Sequence, residues 1–150
     1  MNIELLERAR QSNGATCPTC NKHVQVYTRK LNSNMARALL LMYREARKNN
    51  NEWCRVGHLI VGEHTWPSGY PKLVWWGSAE KHPGKSDDGN SNGMYRLTKK
   101  GALFAKNKTK VSSHAVEYMS VVEEFVGDEI NIIDALGKKF DYNELMQGIL

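Results

Sequence analysis

Apolar and polar positions alternate with two different periods along this chain, and the change of period divides it into elements. From Asn34 to Lys48, Met35, Leu39, Met42, Tyr43 and Ala46 recur on one helical face, widened by Ala38 and Leu40. Arg37, Arg44, Arg47 and Lys48 face away from that stripe. Asn32 or Ser33 supplies an N-cap, Arg47 and Lys48 suit the negative helix C-terminus, and Asn49-Asn50-Asn51 ends the run. This is the strongest helix signal in the chain and predicts the first core helix. Trp53 to Val56 fits a brief strand, Gly57 to Glu63 a short second helix, and His64 to Gly69 a turn. Tyr70 to Trp76 reads as a third helix with Pro71 in its first turn, where a missing N–H is harmless. Leu73 and Trp76 would face inward, leaving Tyr70, Lys72 and Trp75 toward solvent.

After Gly77 the period shortens. A charged strand-like segment leads into the polar loop Lys85 to Gly93, and the chain returns as Met94-Tyr95-Arg96-Leu97-Thr98. A basic helix follows over Lys99 to Lys108. On either side of this middle lie weaker patterns. Asn2 to Gln11 fits a short helix, and His23 to Thr28 a strand with Val24, Val26 and Thr28 on one face. The β-branched residues of 111–133, divided by Gly127-Asp128, predict two or three strands. Phe140 to Met146 fits a terminal helix or turn capped by Asp141. Three segments result: 1–31, 32–110 and 111–150.

Charge sharpens that division. The 150 residues carry 21 Lys/Arg and 16 Asp/Glu. Residues 1–110 hold 19 Lys/Arg against 8 Asp/Glu, and 111–150 hold 2 against 8, so a basic body (+11) precedes an acidic extension (−6). A basic field draws in polyanions and speeds their encounter without conferring sequence preference. The longest apolar run, Ala38 to Tyr43, is far too short to span a bilayer, and the N-terminus has no apolar leader. Three cysteines, two of them in Cys17-Pro18-Thr19-Cys20, argue against a disulfide framework and for a reducing cytoplasm.

Cys17 and Cys20 have the spacing that lets one tight turn present two thiolates to a tetrahedral zinc ion. Cys54 and His58 would complete a four-ligand set, with His23 as a nearer substitute. Cys54 equally fits a small buried hydrophobe, and the cysteine pair a metal-free turn. Catalytic patterns are missing: the carboxylates cluster in the acidic extension, the glycine spacing matches no phosphate loop, and no Ser or Cys has an activating context.

The run Tyr95-Arg96-Leu97-Thr98-Lys99-Lys100-Gly101, followed by Phe104, resembles the end of the wing in winged helix-turn-helix transcription regulators. Leu73-x-x-Trp76-Gly77 resembles the end of their recognition helix. The likeness spans about residues 32–108. The wider arrangement, with its N-terminal CPxC, Tyr27 and Arg29 to Ser33, and a closing Gly137 to Tyr142, is similar to small bacteriophage proteins. The fold so implied is α+β: a winged helix core, an N-terminal turn like a zinc knuckle, and a C-terminal β appendage.

Such a core implies a non-enzymatic protein that binds duplex DNA. The third helix (Ser68, Tyr70, Lys72, Trp75) would meet the major groove. Lys81, His82, Lys85, Asn90, Asn92 and Arg96 of the wing would meet the phosphate backbone or an adjacent minor groove, and Lys99 and Lys100 are further DNA-binding candidates. Asp87-Asp88 within the wing would repel phosphates, and the third helix offers one Lys and no Arg. These two features favour the alternative, an adaptor that grips a host or viral protein through Trp75 and the acidic strands. A homodimer is compatible with either.

Overall fold

The computed structural model describes residues 4, 7–8, 14–56, 59, 69–85, 93–119 and 121–147. They form a mixed α+β structure in two compact units, one from Met1–Lys30 with Ser112–Asp128 and one from Leu31–Val111 with Glu129–Leu150. The chain passes between the units near residues 31, 111 and 128, so that 112–128 belong with the N-terminal segment and 129–150 with the central one. The helix expected over 2–11 and the second helix over 57–63 lie largely outside the described residues. Among the described residues, no helix is long and apolar enough to cross a membrane.

The larger unit is organised by α1 (Ser33–Asn49). Asn32 caps it, its side chain accepting from the Met35 N–H at 2.9 Å, and Asn50 closes it in the left-handed conformation. Arg47 and Lys48 occupy the last turn, where they oppose the helix dipole. Every residue from Met35 to Leu40 is buried, followed by Met42 and Tyr43. A helix apolar on one stripe would leave Arg37 outside. Instead Arg37 is 4% exposed, with its guanidinium carbon 5.2 Å from the centroid of the Phe140 ring. The reason is that α1 is enclosed: it packs against a 3-10 helix (Tyr70–Val74), α2 (Lys99–Ala105), α3 (Ile132–Leu136), α4 (Tyr142–Leu145) and strand β6 (Met94–Leu97).

Residues 129–146 supply one wall of that enclosure. Ile132 and Ile133, expected in strands, begin α3, because Asn131 and Asp134 form a reciprocal capping box at its start. Asp141 caps α4, accepting from the Glu144 N–H at 3.0 Å. Tyr142 donates to the Ala105 carbonyl at 2.8 Å, and Lys139 reaches Asn34 Oδ1 at 3.1 Å.

In the smaller unit, β1 (Ala15–Thr16) pairs with β2 (His23–Val24) across the cysteine turn. The expected single strand over 23–28 is broken at 25–26, and β3 (Tyr27–Lys30) pairs antiparallel with β7 (Val111–Tyr118). Strand β8 (Val121–Ile130) completes the order β3-β7-β8. It runs unbroken through Gly127-Asp128, expected as a turn. Gly127 (φ +85°) lies so close to the Ser113 hydroxyl that any Cβ would collide with it, so this glycine serves the strand pairing. Arg29 pairs with the buried Glu117 at 3.2 Å.

One close approach in the larger unit yields a prediction of unusual sign. Gly101 lies in α2 with negative φ, where alanine would ordinarily gain about 1 kcal/mol of helix propensity. A Cβ there, however, would overlap the backbone carbonyl of Ser78. Gly101→Ala is therefore expected to destabilise the fold by about 1–3 kcal/mol, read as a lower urea midpoint; a raised midpoint would show that the 77–78 turn yields easily.

Candidate nucleic-acid interface and the cysteine turn

The candidate surface starts from a three-stranded sheet in the order β4-β6-β5, built from β4 (Cys54–Arg55), β6 and β5 (Ala79–Lys81), all antiparallel. Cys54 and Lys81 flank Tyr95, and Ala79 lies opposite Leu97. Tyr95, Leu97 and Ala79 are buried, which makes theirs the core-facing side. Directly opposed residues on antiparallel strands share a face. The outer face therefore takes Arg55 opposite Met94 and Glu80 opposite Arg96.

On that outer face Arg96 holds a central position. Its guanidinium carbon lies 4.2 Å from the Trp53 ring centroid, and one of its nitrogens is 3.4 Å from Glu80. Trp53 also meets His82 edge-on at 4.9 Å between centroids. His82 Nδ1 accepts from the Gly84 N–H at 2.9 Å, turning the chain at the start of the loop. Of the residues expected to meet DNA, this arrangement unites Arg96 and His82. It adds Trp53, Arg55 and Glu80, which sequence reading did not single out. The signal was present: Trp53 and Arg55 sit two apart, the spacing of one face of a strand.

The third-helix candidates are placed differently. Ser68 lies outside the described residues, as do Asn90, Asn92 and Asp87-Asp88 of the loop. Tyr70 to Val74 form a five-residue 3-10 helix, started by Gly69 in the left-handed conformation and continued by a turn through Gly77. A Cβ on Gly69 would press on Met35 of α1 at 3.1 Å, so α1 dictates how tightly this segment begins. Leu73 and Trp76 are buried as expected. Tyr70, Lys72 and Trp75 were all expected toward solvent, but all three are half-buried. Tyr70 packs edge-on against Tyr95, and Lys72 Nζ is 5.9 Å from the Trp75 ring. Trp75 and Trp76 stack with centroids 6.5 Å apart.

The same segment is fastened to α2. Thr98 donates its hydroxyl to the Gly77 carbonyl and accepts from the Gly101 N–H, and its own N–H donates to the Ser78 carbonyl at 3.2 Å. Lys100 runs alongside Gly77. Lys81, Lys85, Lys99 and Lys100 are all exposed. These lysines and the exposed Arg55 supply positive charge to this unit's candidate interface, while Arg96 is shared with Glu80.

The other candidate chemistry lies on the β1–β2 hairpin. Cys17 accepts the Asn21 N–H at its carbonyl (2.9 Å), and its own N–H donates to the Lys22 carbonyl at 2.8 Å. Asn21 takes the left-handed conformation that this tight reversal requires. The backbone N–H of Cys20, then that of Thr19, donate to Cys17 Sγ and hold its thiol below the usual range. Cys54, expected as a further ligand, donates its thiol to the Tyr95 carbonyl at 3.3 Å. Burial, and secondarily the Glu45 charge, push that thiol up. His58 lies outside the described residues. Among the described residues no three His, Cys, Asp or Glu side chains gather as a metal cluster. Comparison with known protein families, curated proteins and solved structures finds no match to this chain.

Because the thiolate is the reactive form, the two thiols should separate in a pH series. Lowering favours the Cys17 thiolate below the ordinary thiol range, and raising delays that of Cys54. Alkylation followed by peptide mass analysis should show Cys17 modified first, with its rate levelling off at lower pH than that of Cys54. Equal profiles would contradict the hydrogen bonding at Cys17.

Proposed function

We propose that residues 32–110 form a winged helix and that the protein is a non-enzymatic regulator that binds duplex DNA. The observation that carries this reading is the strand order β4-β6-β5. A first strand that follows α1 pairs with the far arm of the β5–β6 hairpin, whose connecting residues 82–93 would be the wing. The 3-10 helix would be the remnant of the recognition helix, leading directly into the hairpin as that fold requires.

Binding would be dominated by phosphate contacts. Lys81, Lys85, Lys99 and Lys100 are exposed, whereas the 3-10 helix presents only Lys72 beside half-buried aromatics. Phosphate contacts position a protein and supply affinity, and base-edge contacts supply sequence preference. The expected mode is therefore salt-sensitive and weakly selective.

A fluorescence-polarisation titration against random duplex at several salt concentrations tests this. Every phosphate that the protein no longer neutralises takes about 0.9 off the slope of log affinity against log salt. Lys81→Ala/Lys85→Ala/Lys100→Ala should lower the slope by about 2–3 and weaken binding ~10-fold. Arg96→Ala should lower it by less than about one, because Glu80 already offsets that charge. Absence of binding by the unaltered protein at low salt would refute the proposal, and an unchanged slope in the triple variant would remove the wing from it.

The outer face favours a second reading. Trp53, Met94 and a charge-compensated Arg96 are better suited to a protein surface than to phosphate, since interfaces favour Trp, Met and Arg. In that case Trp53→Ala would abolish a complex that survives nuclease treatment and leave DNA affinity unaltered.

A further inference from the structure

The cysteine turn differs from the rest of the described surface in presenting two soft ligands side by side. Strands β1 and β2 fix its two ends through the pairs Ala15–Val24 and Thr16–His23. The two hydrogen bonds between Cys17 and residues 21–22 tie the loop down inside that frame. The backbone that carries both thiols is thus fixed, and only side-chain rotation remains to be ordered when a ligand arrives. Residues 18–23 are all exposed, so the tip of the turn is open to a partner. Three free cysteines exist in the chain, and Cys54 is engaged with the Tyr95 carbonyl.

We propose that this turn is half of a metal site, and that two copies of the chain close around one soft divalent cation such as Zn²⁺, each contributing Cys17 and Cys20. Zinc takes four thiolates tetrahedrally at about 2.3 Å. A four-sulfur tetrahedron contains the two-fold axis on which a pair of identical turns can meet, and a single CxxC turn covers only one of its edges. Two copies also meet the charge requirement. Four thiolates leave a surplus of about two negative charges around Zn²⁺, and Lys22 beside each turn supplies one positive charge per copy.

The test uses the full chain, reduced and stripped of metal, titrated with Zn²⁺ and separately with Co²⁺ while mass is followed by sedimentation. The expected result is one cation per two chains, doubling of mass only with metal, and an intense sulfur-to-cobalt charge-transfer band. Cys17→Ser and Cys20→Ser should each abolish both metal uptake and dimer, with far-UV circular dichroism reporting whether they stay folded. Cys54→Ser and His23→Ala should keep the two-chain stoichiometry. One cation per single chain, no uptake by the unaltered protein, a dimer that forms without metal, or loss of the site in Cys54→Ser or His23→Ala would each overturn the proposal. The stoichiometry of the unaltered protein decides it even where a cysteine variant misfolds.

Discussion

Enclosure of α1 is the constraint on which the larger unit rests, because six consecutive residues from Met35 to Leu40 are buried. Covering a helix on every side requires walls from several parts of the chain, and here they come from the 3-10 helix, β6, α2, α3 and α4. Leu39 and Leu40 are fully buried within this shell, and truncating such a leucine typically costs about 2–5 kcal/mol. Arg37 shows how strict the enclosure is: a charged residue is accepted inside it with the Phe140 ring alongside its guanidinium. The C-terminal 129–146 segment is therefore part of the core and no mere extension.

Everything this unit offers to a partner hangs from that core. The Thr98 hydrogen bonds and the Gly101–Ser78 approach join the turn after the 3-10 helix to the first turn of α2. Lys99 and Lys100 start that helix, and the β5–β6 hairpin emerges beside it, so regular elements carry Lys81, Lys99 and Lys100. The outer sheet face is prearranged in a different way, with Arg96 held between Trp53 and Glu80. Two chemically different surfaces thus adjoin one small sheet, one with lysines from its edge strand and α2, the other with Trp53, the Arg96–Glu80 pair and the exposed Arg55.

Local rules were legible in the sequence. The Asn32 cap, the basic last turn of α1, Pro71 in the first turn of its helix and the Asp141 cap all depend on a few neighbouring residues, and all are found. Leu73 and Trp76 were legible as core for the same reason. What sequence did not reveal was long-range. Arg37 looked solvent-facing because nothing local shows that α3 and α4 return to cover it. Gly127-Asp128 resembled a turn because glycine's close approach to Ser113 is set by another strand. Trp53 escaped notice as part of a site because its partners, His82 and Arg96, lie 29 and 43 positions further along the sequence. Ile132 and Ile133 carried a β signal that a reciprocal cap overrode.

The pairing of Lys30 with His114 has a kinetic consequence. Strand β3 leaves the ribosome long before its partner β7, with the whole of α1 and the β4-β6-β5 sheet made in between. The entropic cost of closing so long a loop grows only logarithmically with its length, yet such non-local pairing slows folding. At typical synthesis rates of about 5–20 residues per second, β3 stays without its partner strand for several seconds. That interval is when a chaperone or a neighbouring nascent chain has its best access to the unpaired strand.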